Sequence, residues 1–193
     1  MPMRKTLRIG AGAGFQGDRL EPAYMLAERG RLNYLVFECL AERTIALAQL
    51  RKRHDPATGY DPLLERRMEM ILPSAKKHGV RIITNMGAAN PVAAAELIVR
   101  VARRKRIPIR VAAVTGDDVH THIHADTKLI ESDKPMGHFG KVVSANAYLG
   151  AEALQPALAS GADVIVTGRV ADPSLFLAPM VHHFGWSFDD LAR

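Results

Sequence analysis

The chain has a single cysteine, Cys39, in 193 residues, so it closes no internal disulfide and fits a reducing cytoplasm. It has no run approaching about 18 consecutive apolar residues, which excludes an ordinary membrane-spanning helix. Its first residues, MPMRKTLRIG, carry basic side chains but no apolar core before a small-residue cleavage site, so no secretory signal is read there. There is no hairpin signal and no low-complexity tract. Basic residues are dense only at Arg103 to Arg106, and no aromatics are interleaved with them. Nucleic acid is therefore not the expected partner; the cluster falls at a helix end, where cations complement the dipole.

What is present is an ordinary globular composition, 48% hydrophobic and 24% charged, in a chain long enough for one domain with a core over residues 1–193. The formal charge is +6, which reads first as a solvated basic surface and second as suiting an anionic small-molecule substrate. The stretch from Leu7 to Arg19, LRIGAGAGFQGDR, organises the rest. An apolar run leads into Gly10, Gly12, Gly14 and Gly17, then Asp18 and Arg19. Strand, glycine turn and helix start together let backbone N–H groups approach an anion.

Apolar runs then alternate with helical periodicity. Strands are expected at Leu7–Gly12, Leu32–Phe37, Val80–Thr84, Ile109–Val114, Lys141–Ala145 and Asp163–Val166. Helices are expected at Glu21–Arg29, Ala41–Arg53, Leu63–His78, Val92–Lys105 and Ala147–Ser160, with a last one opening at Asp172–Ser174 and fading at His182 and His183. Pro73 should kink or break the third of these. Asp117 to Gly140 carries no clear pattern. Trp186, Phe188, Leu191 and Ala192 read as the start of a further element. Repeated β-α units require parallel strands joined by right-handed crossovers. The fold class is α/β, a mostly parallel open sheet with helices on both faces in a Rossmann-like three-layer arrangement; a partial (β/α) barrel is the alternative.

Gly12, Gly14 and Gly17 match G-x-G-x-x-G, and Glu38 ends the second strand 21 residues after Gly17. That spacing suits a dinucleotide fold, which makes NAD an alternative cofactor and an NAD-dependent oxidoreductase an alternative function. Bulky Phe15 and Gln16, and the late helix start, weigh against it. The plainer reading is a tight turn needing positive φ. The strand ends as a set carry more. They offer Asp18 and Arg19, Glu38, Cys39 and Glu42, Asn85 and Asn90, Asp117 and Asp118, Asn146, Thr167, Arg169 and Asp172. In a parallel sheet these loops share one edge. Carboxylates there can act as acid or base, and arginine can grip a carboxylate or phosphate. Glu38, Asp117, Arg169 and Asp172 are the candidate catalytic residues. Gly12, Gly14, Gly17, Asp18, Arg19, Asn85, Asn90 and Thr167 are the candidate substrate- or phosphate-binding residues. Single residues among them have plainer roles as helix caps or local ion pairs. A lone Cys39 reads as a buried small hydrophobe. His120, His122 and His124 would share a face on a strand, but a solvated loop is the simpler reading, and no metal is expected.

With these motifs in place, the chain resembles the N-terminal domain of the acyclic terpene utilisation proteins. The resemblance is carried by IGAGAGFQGDRLEPAYMLAERGRLNYLVFECLAERTIALAQ, TNMGAANP, SANAYLGAEAL and GADVIVTGRVADPSLFLAP, in that order. It implies bacterial catabolism of branched isoprenoid acids such as those from citronellol and geraniol, with substrates carried as coenzyme A thioesters. It also implies a lyase step that cleaves a 3-hydroxy-3-isohexenylglutaryl thioester to release acetate. Family members are longer, so a C-terminal portion is expected to be missing here. A sheet edge exposed in that way would invite a homo-oligomer. A non-catalytic metabolite- or nucleotide-binding module is the reading from another class.

Overall fold

A computed structural model describes residues 6–190. Five strands form one parallel sheet: β1 (Ile9–Ala13), β2 (Tyr34–Phe37), β3 (Arg81–Thr84), β4 (Val111–Val114) and, late in the chain, β7 (Val164–Thr167). The order across the sheet is β1-β2-β3-β7-β4, an open sheet with no closed barrel. The central strands are short and almost wholly apolar, YLVF and VIVT, as strands buried on both faces should be.

Helices α1 (Glu21–Arg29), α3 (Leu64–His78) and α4 (Pro91–Arg104) cover one face. There Ala27, Met68, Ile71 and Ile98 pack with Leu35, Phe37 and Ile82. The short helix α5 (Gln155–Ala159), the single turn before it (Ala151–Leu154) and α6 (Ser174–Phe184) cover the other. There Leu154, Leu158 and Leu175 pack with Val36, Ile83 and Ile165. Helix α2 (Glu42–His54) sits apart, packing Ile45 and Ala48 on Leu40, Ala88 and Ala89 beyond the strand ends.

The connection from β3 leads to α4 on the first face, and that from its neighbour β7 leads to α6 on the second. Adjacent strands whose chains leave in opposite directions open a crevice between their carboxyl ends, where open α/β sheets bind ligands. In this sheet that point lies between β3 and β7, not beside β1, which is an edge strand.

Three expectations need correcting. Lys141–Ala145 forms no strand; Val143 is exposed, Ala145 O accepts the Val119 N–H at 3.0 Å, and just beyond the segment Asn146 makes an isolated bridge with Asp118. The segment's two valines have no neighbouring strand to pair with. The 147–160 region is a turn of 3-10 helix followed by a five-residue α-helix, because Gly150 starts it late and Pro156 fits only the first helical turn. Helix α3 is not broken at Pro73 but continues through it, with Leu72 and Ala75 in the core on either side. The unpatterned stretch holds a small hairpin, β5 (Lys128–Leu129) with β6 (Ser132–Pro135). Trp186 stacks on Phe184 at the end of α6, while Leu191 and Ala192 lie outside the described residues.

Candidate active site

Two polar clusters meet at the carboxyl ends of the strands around β3 and β7. The first lies at the ends of β2 and β3. The Asn85 side chain, fully buried, accepts the Cys39 N–H at 2.8 Å and donates to Glu38 Oε1 at 2.9 Å. Glu38 Oε1 also accepts the Leu40 N–H at 3.0 Å. Thr84 steers the turn by donating to Phe37 O and accepting from Met86 N. The turn must then pass over β7. A Cβ on Gly87 would strike the Thr167 carbonyl and Pro91, and Ala88 takes φ of 48°. Glycine at 87 is thus a requirement of close approach.

The second cluster lies beyond β4 and β7. The Asp117 carboxylate is buried and accepts from Arg169 N at 2.8 Å and Asn146 Nδ2 at 2.9 Å. Asn146 in turn accepts from Gln49 of α2 at 2.9 Å. The Arg169 side chain donates to the Leu40 carbonyl at 2.7 Å, and its guanidinium lies 4.5 Å from the centre of the Tyr148 ring. Leu40 therefore joins the clusters, since its N–H binds Glu38 and its carbonyl binds Arg169. A carboxylate and a guanidinium from strands distant in sequence are held at one residue.

The remaining candidates are placed differently. Gly12 and Gly14 do not cradle an open anion site. The Gly14 N–H is already bound at 2.8 Å by the Asp18 carboxylate, and a Cβ on Gly12 would run into the Phe37 ring. Neither these two nor Gly17 has positive φ; glycines with positive φ among the described residues lie at other turns. The expected conformational reason gives way to close packing at Gly12. Arg19 is exposed on the turn. Asn90 caps α4 through the Ala93 N–H and clasps the carbonyls of Pro56 and Thr58. Thr167 is buried and donates to Gly168 O, and Asp172 is exposed at the start of α6. Helix α1 begins only at Glu21, so its N-terminus does not follow directly on the glycines as a dinucleotide site requires. His120 to His122 form one helical turn instead of a strand, so the three histidines do not alternate on a face. No group of three or more potential metal ligands converges among the described residues. No helix among them is long and apolar enough to cross a membrane.

The sequence reading missed Arg67 and Asp61. Arg67 is fully buried under the glycine turn, donates to Asp18 O at 3.1 Å and lies over Phe37 at 5.2 Å. Its Nη1 is 3.6 Å from the Cys39 sulfur. Burial pushes the Cys39 thiol up to about 12, outweighing the pull of the Arg67 charge the other way. A thiol held neutral in this way is no nucleophile. Burial also raises Asp61, whose carboxylate accepts the Leu63 N–H at 2.7 Å. The signal was available: Arg67 falls on the same helical stripe as Leu64, Met68 and Ile71, where a charge is out of place.

The family model described as "acyclic terpene utilisation family protein AtuA" matches residues 7–193. The chain belongs to the acyclic terpene utilisation family. No curated protein and no solved structure matches it.

Proposed function

We propose that this domain acts on branched isoprenoid acids as coenzyme A thioesters, and that its crevice carries out a carbon–carbon lyase step on a 3-hydroxy-3-isohexenylglutaryl thioester. The observation that supports this most is the joining of Glu38 and Arg169 through Leu40. A retro-aldol cleavage needs a base for the tertiary hydroxyl and a cation for the departing arm. Glu38 is the better base of the two carboxylates. Asp117 is buried and its Oδ2 already serves two donors, whereas Glu38 is half-buried and only its Oε1 is engaged.

In this scheme Glu38 takes the hydroxyl proton and that carbon becomes a ketone. The C–C bond breaks, and its electron pair passes to the carboxymethyl arm. Arg169 holds that arm's carboxylate as its enediolate forms. Protonation of the enediolate carbon gives acetate. Incubation with the thioester should release acetate and the 3-oxoacyl thioester in equal amounts. Glu38→Gln should slow this by roughly 100-fold or more, the usual contribution of a positioned base. Undiminished turnover in Glu38→Gln would remove Glu38 from the role, and no acetate from the unaltered protein would remove the lyase reading.

A further inference from the structure

Arg169 is the cation of the proposed site, yet its side chain is only 4% exposed. Two side chains cover it. The Arg169 guanidinium carbon lies over the Tyr148 ring, 4.5 Å from its centre, and the Tyr148 hydroxyl donates to Glu42 Oε1 at 2.6 Å. The same Glu42 oxygen stands 3.8 Å from Arg169 Nη2. We propose that Glu42 and Tyr148 form a removable cover on Arg169, with the Glu42 carboxylate holding the place that a substrate carboxylate takes. The inference rests on the reading of Arg169 as the anion grip.

The two kinds of contact around Arg169 differ in strength. Its link to Leu40 O is short and buried, and its backbone N–H is bound by buried Asp117. These hold the arginine in place. The cover is made of exposed parts: Tyr148 is 54% exposed and the Glu42 side chain 83%. A solvated ion pair at this distance contributes little, and an exposed cation–π contact little more. A two-pronged carboxylate–guanidinium pair shut away from water is stronger than either. Opening needs no backbone movement. The backbone beside Tyr148 is pinned by Ala147 N to Asp117 O at 2.7 Å and by Ala171 N to Leu149 O at 2.9 Å, so only side-chain rotation is required. The Glu42 carboxyl is held below its ordinary range by the Tyr148 hydroxyl first and by Arg169 as well, so it stays ionised in competition with a ligand.

A cover that must open lowers apparent affinity by the fraction of open molecules. The test is calorimetric titration with 3-hydroxy-3-methylglutarate, a plain dicarboxylate with no coenzyme A. Tyr148→Ala and Glu42→Ala should each bind it about 5- to 10-fold more tightly than the unaltered protein. Tyr148→Phe, which keeps the ring but not the tie to Glu42, should fall between. Arg169→Lys and Arg169→Gln should lose binding, with thermal unfolding recorded to show that each is folded. Equal affinity in the unaltered, Tyr148→Ala and Glu42→Ala proteins, with loss in both Arg169 variants, would overturn the cover and leave the anion grip standing. Binding that survives in a folded Arg169 variant, or no binding by any protein including the uncovered ones, would overturn both.

Discussion

At the residue scale, the site depends on side chains whose hydrogen bonds are spent on each other. Asp117 is the clearest case. Its Oδ2 holds the Arg169 N–H and Asn146 together, and the space beside it exists because residue 168 is glycine. A Cβ there would lie 2.5 Å from both carboxylate oxygens. Gly168→Ala must therefore displace a buried, hydrogen-bonded carboxylate, and overpacking of this kind costs about 2 kcal/mol. Urea unfolding should show that loss; unchanged stability would mean that Asp117 does not hold the position described. Part of the candidate site is legible from the chain: Glu38, Asn85, Asp117 and Arg169 all read as polar residues following apolar runs. Asp18 was found too, but its task could not be, because a carboxylate that binds its own turn looks the same in sequence as one that awaits a ligand. Arg67 was missed because its helix reads correctly from Leu64, Met68 and Ile71 without asking what else shares their stripe.

At the scale of elements, strands were legible where they are buried on both faces and helices where a stripe of apolar residues repeats. KVVSA, at 141–145, has the composition of a strand, but its backbone meets a neighbouring segment only at its last residue, where Ala145 O accepts from Val119 N, and pairing along the run is what makes a strand. The order β1-β2-β3-β7-β4 was not legible, since nothing local tells a late strand to insert between two earlier ones. The packing of α1 on α3 has its own electrostatic tie. Glu28 accepts from Ser74 at 2.6 Å and from Lys77 at 3.0 Å, with His78 at 3.4 Å. These, led by the Ser74 hydroxyl, lower the Glu28 carboxyl from 4.5 to about 2. A carboxyl depressed by folding stabilises the native state fully above its ordinary value, and that stabilisation is lost as pH falls through the folded value. The expected window runs from about pH 4.5 down to about pH 2. Glu28→Gln should lower the melting temperature at pH 7 and flatten the curve of stability against pH inside that window. An unaltered acid limb would show that Glu28 does not couple the two helices.

At the scale of the whole molecule, the sheet order decides where ligand chemistry can happen. The glycine turn after β1, the most conspicuous stretch in the sequence, lies at an edge and closes on Asp18. The switch between β3 and β7 is where Leu40 gathers a carboxylate and a guanidinium. On the proposed function, the strand ends gathered at Leu40 take an anionic acyl thioester and not a nicotinamide dinucleotide. A ligand that binds only the folded chain raises its melting midpoint, by an amount set by its concentration over its dissociation constant. The most direct measurement is thermal unfolding of the purified chain, alone, with 3-hydroxy-3-isohexenylglutaryl-CoA and with NADH at equal concentration, repeated in Arg169→Gln. A midpoint raised by the thioester, unmoved by NADH and restored to the ligand-free value by the Arg169 change is the predicted result. A midpoint raised by NADH alone would contradict the account.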